Sequence, residues 1–398
     1  MNILYIHQYF KTPENPGGTR SYWICQELIK NGHSVTMLTA NGEIEGSKVF
    51  NNIDGIEVIT LKVPYANKMG ILRRLWSFIR FMISSTYEAF RLKNIDLVIA
   101  TSTPLTVGFP ALILKKIKKI PFVFEVRDLW PEVPIQMGAL KSKFFIILAK
   151  YFEKTIYSNA KHIIALSPGM EEGVIDRNIP QNKVSMIPNM SKIDEFWSRQ
   201  KNKELIAALG LKESSFKVIY FGAMGVANDM DYILDAAALL EGKSDIEFIF
   251  LGDGATKPQL ENRCKVENIK NISFLGKYPM KELSEIVNLC DVSLVTFMDL
   301  PILATNSPNK LFDSLSAGKA IIVNSAGWTK EMVEKHNCGL YANPKQPIEL
   351  AENIIKLKNS PNLCNEMGRN SRILAETVYD KSILCKKFGK VIAGLNID

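Results

Sequence analysis

Asp128 and Glu132 stand in the run F-E-V-R-D-L-W-P-E, directly after an apolar stretch that reads as a strand, Pro121 to Val126. Loops after strands are where α/β sites are built, and a carboxylate there can act as a general base or orient a hydroxyl by accepting its hydrogen bond. The alternative for Asp128 is a plain pairing with Arg127 or a helix cap. Gly17 and Gly18 precede a helical pattern, where bare backbone can approach a ligand and outward N–H groups can meet an anion. Gly222 to Gly225 repeat that logic in the second half of the chain. Lys310 offers a point charge, and Asp313, three residues on, shares its helical face. A tight turn and a surface aspartate are the alternatives at Gly17-Gly18 and Asp313.

The elements that must carry these groups alternate strand and helix. The first half reads as a strand at Ile3 to His7, a glycine-bearing loop, a helix stopped at Asn31-Gly32-His33, and strands at Ser34 to Thr39, Ile95 to Thr101 and Pro121 to Val126. The second half restarts the programme with strands at Lys217 to Phe221, Ile246 to Leu251, Ile272 to Phe274, Val292 to Thr296, Ala320 to Asn324 and Gly339 to Tyr341, and a helix at Asp231 to Glu241. Such alternation specifies a doubly wound α/β sheet in each half. Ile187-Pro188-Asn189-Met190 and the polar stretch to Gln200 read as the linker. A ligand is expected where the carboxyl ends of the two sheets face each other.

The 398 residues exceed one ordinary core and imply two domains. With 46% hydrophobic and 23% charged residues, nearly all of the chain should fold. The six cysteines are scattered without a C-x-x-C pair, which predicts buried free thiols in a reducing compartment. Met1 runs straight into a strand, so no export signal is expected. The uncharged stretch Leu97 to Leu114 contains two prolines and a glycine and reads as strand, loop and helix rather than a membrane span. A net charge of +8 suits anionic small molecules or phospholipid, whereas no nucleic-acid signature accompanies it. The four histidines form no catalytic or metal constellation.

Four segments carry a family resemblance: Y-F-K-T-P-E-N-P-G-G-T-R, F-E-V-R-D-L-W-P-E, L-S-P-G-M-E-E-G with the later V-S-M-I-P-N-M, and S-P-N-K-L-F-D-S-L-S-A-G-K. In this order the sequence resembles the retaining glycosyltransferases of family 4, particularly the bacterial enzymes that build O-antigen, capsule and other surface polysaccharides. The resemblance implies a GT-B fold, with two facing Rossmann-like doubly wound domains and an interdomain cleft. An acceptor domain is expected over 1–188, joined by a C-terminal helix at about 379–398, and a nucleotide-sugar domain over 189–378.

The same resemblance assigns roles. Gly17 and Gly18 would touch the donor phosphates or the reacting sugar. Gly222, Gly225 and Lys310 would hold the pyrophosphate, with Asn228 as a contact where many members carry a basic residue. Asp313 would accept from the ribose hydroxyls in place of the usual glutamate. The first position of the family's Glu-x7-Glu falls on Thr305, so the sugar contact made there in the family falls to backbone amides around Asn306, Ser307 and Asn309, or is not made at all. Gly276 and Lys277 would border the base. Asp128 and Glu132 would face the acceptor, and Trp130 would pack or form a platform for it. Neither metal nor cofactor is implied. The expected donor is UDP linked to an N-acetylated hexosamine or its deoxy form, and the expected acceptor is a polyprenyl-diphosphate-linked glycan. A nucleotide-sugar epimerase and a non-catalytic glycan- or nucleotide-binding subunit are the alternatives.

The segment 68–93 mixes Arg73, Arg74, Arg80 and Arg91 with Trp76, Phe78, Phe81 and Met82. It is too short in its apolar run to span, and it suits a helix lying on anionic lipid. The alternative is a helix packed on the first sheet with arginines at its edge. The expected location is cytoplasmic, peripheral on the inner face of the plasma membrane.

Overall fold

The computed structural model describes residues 1–15, 17–65, 69–243 and 245–396, with Ile71 described by its backbone only. Lys68, the first residue of the expected lipid-facing segment, lies outside the described residues. The chain divides into two compact units. Unit 1 comprises Met1–Thr12, Gly17–Pro188 and Ser382–Asp398, and unit 2 comprises Pro13–Pro16 and Asn189–Lys381.

Unit 1 is built on eight strands: β1 Asn2–Ile6, β2 Ser34–Ala40, β3 Lys48–Ile53, β4 Ile56–Leu61, β5 Leu97–Thr101, β6 Phe122–Val126, β7 His162–Ala165 and β8 Val184–Met186. Their order is β3-β4-β2-β1-β5-β6-β7-β8, parallel except for the β3–β4 hairpin. That hairpin was not anticipated. Asp54 (φ 49°) and Gly55 (φ 84°) make its two-residue turn, the left-handed pair that Asp-Gly favours.

The helices of unit 1 are α1 Arg20–Lys30, α2 Ile71–Arg91, α3 Gly108–Lys118, α4 Glu132–Gln136, α5 Lys143–Asn159 and α6 Pro168–Ile175. Gly32, at φ 81°, ends α1 as expected, and the His33 N–H closes back on the Leu28 carbonyl. The uncharged stretch from Leu97 forms β5, a short turn and α3. Among the described residues no helix is long and apolar enough to cross a membrane.

Unit 2 has six strands, β9 Phe216–Phe221, β10 Ile246–Leu251, β11 Ile272–Gly276, β12 Val292–Val295, β13 Ala320–Val323 and β14 Gly339–Tyr341, all parallel in the order β11-β10-β9-β12-β13-β14. Its strands are apolar on both faces because helices cover both. Val218 and Tyr220 pack with Ile233 and Ala237 on one side, while Ile219 and Phe221 pack with Phe196 and Ile286 on the other.

In each sheet the first strand, β1 or β9, is flanked by strands whose connections leave in opposite directions. Such a switch point opens a crevice at the strands' carboxyl ends. The stretch 189–200, expected as a linker, is built into unit 2 instead. Phe196 is fully buried, and the Ser191 hydroxyl donates to the Phe312 carbonyl at 3.0 Å. All six cysteines are free; five are buried and Cys264 is half-buried.

Candidate functional site

In unit 2 the crevice lies between the loops that follow β9 and β12. The Met298 N–H donates to the Ala227 carbonyl at 3.0 Å and the Thr296 hydroxyl to the Asn228 carbonyl at 2.8 Å, which ties the two loops together. Lys310, in the first turn of the helix Asn309–Ser316, reaches into this crevice. Its Nζ donates to the Tyr220 hydroxyl at 2.6 Å and to Asn228 Oδ1 at 3.1 Å, and stands 3.9 Å from the centre of the Tyr220 ring. Tyr220 in turn donates to the Ala223 carbonyl at 2.7 Å, so its oxygen is fixed as an acceptor for the lysine.

Burial alone pushes the Lys310 ammonium down to a pKa of about 7, and no carboxylate ion-pairs with it among the described residues. A buried cation held only by neutral oxygens has its charge unbalanced by the protein, and an anion brought beside it would favour the ammonium form. The helix that carries it starts without a side-chain cap, so its N-terminal dipole points the same way.

The glycines of this loop are needed for different reasons. Gly222 has φ 133°, and a Cβ there would sit 3.4 Å from Lys310 Cε. Gly252 and Gly254, after β10, brace it: a Cβ on Gly252 would lie 1.9 Å from the Gly222 carbonyl oxygen, and one on Gly254 2.0 Å from that of Met224. Gly225 opens the single turn Val226–Asn228, which delivers Asn228 to the lysine. Gly276 (φ 81°) accepts from the Gly252 N–H at 2.6 Å, while Lys277 is largely exposed and pairs with Asp253 at 3.3 Å.

Around the helix start, Ser307 is engaged by Asn189, whose N–H donates to the serine hydroxyl at 3.1 Å and whose side-chain amide donates to the serine carbonyl. The Asn306 carbonyl accepts from the Trp328 indole at 2.7 Å, and its side-chain Oδ1 is buried without a protein partner. Asn309 is the first residue of the helix. Thr305 donates to the Ile302 carbonyl at 2.7 Å and closes its own turn.

Asp313 has a partner that the sequence did not suggest. Its carboxylate is buried and lies 3.1 Å from the Lys192 ammonium, with Glu195 3.7 Å from the same lysine. Burial raises the Asp313 pKa, and Lys192 offsets part of that.

Unit 1 gathers a second set of groups after β1, β5 and β6. His7 is buried, with Nε2 3.2 Å from Arg127 Nη1 and Nδ1 2.9 Å from the Ser21 hydroxyl. A guanidinium can only donate, so Nε2 is the acceptor and the proton sits on Nδ1. Burial, then Arg127, drives the His7 pKa well down and keeps the ring neutral. The Asp128 carboxylate accepts from Thr103 Oγ1 at 2.6 Å; burial raises its pKa, while Thr103 and Arg127 pull it back. The structure therefore brings Asp128 together with Arg127, Thr103 and His7.

Glu132 is engaged elsewhere: its carboxylate lies 3.6 Å from Lys150 and accepts from Gln136 at 3.2 Å. Trp130 packs edge-on against Phe78 of α2. Gly17 takes φ 133°, and Gly18 follows it into the uncapped start of α1. Arg20, the first residue of α1, is buried. It pairs with Glu125 at 2.8 Å and donates to the carbonyls of Ile187 and Pro188, which makes it a brace and removes it from anion binding. Among the described residues no group of His, Cys, Asp and Glu is placed to hold a metal.

Residues 17–190 match the family model of the glycosyl transferase 4-like domain, and residues 201–373 match that of the glycosyl transferases group 1. Together the two models take in most of the chain. The protein belongs to the glycosyltransferases. Its relatives include the probable glycosyltransferase WbjE of Pseudomonas aeruginosa, 23% identical over 84% of each chain. Another is the N,N'-diacetylbacillosaminyl-diphospho-undecaprenol alpha-1,3-N-acetylgalactosaminyltransferase of Campylobacter jejuni, 21% identical over 77% of this chain and 79% of that one.

Among solved structures, sucrose-phosphate synthase from Thermosynechococcus elongatus superposes with a TM-score of 0.78 at 16% identity, covering 99% of each chain. Anabaena HepE in complex with UDP-glucose gives 0.72 at 18% identity, covering 99% of this chain and 100% of that one. The two parallel-sheet domains of this glycosyltransferase are thus those of the GT-B fold.

Within this glycosyltransferase, sequence reasoning named Lys310, Asn228 and Asp128 but not the groups that the structure sets around them. Tyr220 sits at an ordinary core position of β9, and nothing in its neighbours sets it apart. His7 carried a signal, since it follows the first strand at the switch point. Lys192 lies two residues beyond the I-P-N-M run, at no telling spacing from Asp313.

Proposed function

We propose that this glycosyltransferase moves a sugar from a UDP-linked donor onto a lipid-linked glycan in surface-polysaccharide synthesis, with retention at the anomeric carbon and without a metal. The observation that carries the reading is Lys310, a buried ammonium with neutral partners at the mouth of the unit 2 sheet. A diphosphate supplies the negative charge that this position lacks. HepE, of the same fold, binds UDP-glucose, and the Campylobacter relative acts on a diphospho-undecaprenol-linked acceptor, which supports the choice of donor and acceptor classes. An N-acetylated hexosamine or its deoxy form is the proposed sugar.

In the proposed reaction the acceptor hydroxyl oxygen bonds to the anomeric carbon as the bond from that carbon to the diphosphate oxygen breaks. The diphosphate leaves with the electron pair and takes the hydroxyl proton, so the donor face is retained. Lys310, with the Gly222 to Gly225 amides and the helix start at Asn309, stabilises the departing charge. Asp313 would hold the ribose and Asn306 the sugar, through an Oδ1 that has no other partner. Asp128, held by the Thr103 hydroxyl at 2.6 Å, orients the acceptor hydroxyl.

Membrane proximity is part of the reading. Helix α2 buries Ser77, Phe81, Ser85 and Glu88 and turns Leu72, Trp76, Ile83 and Tyr87 outward, with Arg73, Arg80 and Arg91 along one flank. Such a stripe suits the interface of an anionic bilayer, on the inner face of the plasma membrane.

A calorimetric screen of UDP-, GDP-, ADP- and CMP-linked donors, followed by transfer to a polyprenyl-diphosphate glycan, tests the whole. UDP should bind, and Asp128→Asn should lower kcat while leaving the UDP Kd unchanged. Absence of UDP binding would sink the donor assignment; an unchanged kcat would remove Asp128 from the reaction.

A further inference from the structure

Helix α5 exposes an apolar stripe on the side that an amphipathic helix normally gives to water. Phe144, Ile147, Leu148 and Tyr151 follow one another at i, i+3, i+4 and i+7 and are 69%, 69%, 52% and 71% exposed. The opposite side of the same helix holds its buried residues, Glu153, Ile156 and Tyr157. Four large apolar side chains in one row facing outward are more than scattered surface hydrophobics, and such patches mark contact surfaces.

The stripe lies on the same face of the sheet as α2. The connections from β4 to β5, β5 to β6 and β6 to β7 all step across the sheet in one direction, so right-handed crossovers put α2, α3 and α5 on one side. Helix α3 packs against both of the others, and the rings of Phe109 in α3 and Phe152 in α5 are 6.4 Å apart. Phe109 also lines, with Ile83, Tyr87 and Phe90 of α2, an open apolar hollow of about 350 Å³.

Charge identifies what covers this face. Helix α2 carries four arginines, α3 three lysines and α5 three lysines. The two acidic residues in the three helices are both buried and ion-paired, Glu88 with Lys48 at 2.7 Å and Glu153 with Arg177 at 2.9 Å. The exposed charge of these helices is therefore wholly positive. A second copy of the chain docking by the same face would set these cations against themselves. A surface that is anionic at its edge and apolar beneath meets both features.

We propose that α5 is a second membrane-inserting element: its Phe144, Ile147, Leu148 and Tyr151 enter the acyl boundary of an anionic phospholipid bilayer while the lysines of α3 and α5 meet the headgroups. The proposal rests on the membrane reading of α2 and adds to it a hydrophobic anchor, so that binding has an electrostatic part and a part that salt does not screen.

The test is co-sedimentation of the full-length protein with vesicles of phosphatidylglycerol and phosphatidylethanolamine, with phosphatidylcholine vesicles as the neutral control. At low salt the wild type should bind the anionic vesicles, and at about 1 M NaCl, where charges are screened beyond about 3 Å, it should stay bound. The triple variant Phe144→Gln, Ile147→Gln and Leu148→Gln keeps helix-forming residues at exposed positions. It should bind at least about tenfold more weakly at low salt and be released at high salt, with unchanged UDP affinity.

Salt-resistant binding by the triple variant would overturn the role of α5 and leave the α2 reading standing. Failure of the wild type to bind at any salt would overturn both. If the wild type sediments as a dimer and the triple variant as a monomer with vesicle binding intact, the face belongs to a second copy and the proposal falls. Should the triple variant not fold, Ile147→Cys carrying an environment-sensitive dye gives the same answer: its emission should shift to the blue with anionic vesicles, and unshifted emission overturns the insertion of α5.

Discussion

On the proposed reading Lys310 makes the affinity for UDP a function of pH, and the size of the effect follows from its surroundings. In the empty site burial brings its pKa to about 7, while the neighbouring Tyr220 hydroxyl is pushed up and stays neutral throughout the range of interest. A bound diphosphate favours the ammonium, so the complex holds more protons than the free protein and affinity must fall as pH rises. Only the protonated fraction is competent to bind, about a half at pH 7 and about one hundredth at pH 9. The Kd should therefore rise about fiftyfold across that interval, roughly 2.3 kcal/mol.

The phosphate groups themselves ionise near pH 6 and contribute little above pH 7. Calorimetry at pH 7, 8 and 9 in buffers of different ionisation heat reads both quantities, and uptake of about half a proton at pH 7 should grow to about 0.9 at pH 8. Lys310→Arg supplies the control: its guanidinium stays charged, so its affinity, lower because the fork does not match the Tyr220 and Asn228 oxygens, should be flat with pH. A flat profile in the wild type, or the same slope in the arginine variant, would refute the reasoning.

Two further outcomes concern stability. Asp313→Asn should disturb folding as well as nucleotide affinity, because it leaves Lys192 buried beside Glu195 alone; a loss of about 3 kcal/mol in urea unfolding is expected, and adding Lys192→Met should recover most of it. Wild-type stability in the single variant would show that the pair contributes nothing. Arg20→Met should cost about 3 to 5 kcal/mol by stranding Glu125, with the UDP Kd unchanged; a weakened UDP affinity in folded protein would return Arg20 to the binding site.

The legible part of this fold was its period. Strand, glycine loop and helix recur in both halves, and every parallel strand from β9 to β14 stands within a residue or two of its expected place, because apolar runs bounded by glycine have few other readings. The β3–β4 hairpin was not read although N-I-D-G-I carries the Asp-Gly turn, because the surrounding K-V-F-N-N-I is half polar and hides the strand that the turn implies. The short strands β7 and β8 offered only four and three residues.

What the sequence withholds is pairing across distance. Arg20 and Glu125, His7 and Arg127, and Lys192 and Asp313 are each separated by more than a hundred residues, and each pair meets only because parallel strands return the chain to the same edge of a sheet. An arginine in a first helical turn reads as a phosphate ligand or a surface charge until the strand bearing Glu125 is known to lie beneath it. The same topology that conceals these pairs also sets their chemistry. Burial makes Arg20 a brace, since a carboxylate and two carbonyls satisfy it. The same burial suits Lys310 to the proposed diphosphate, since its neighbours are a phenol and an amide and leave its charge unanswered. Two buried cations, each placed in the first turn of a helix, differ in whether a carboxylate faces them.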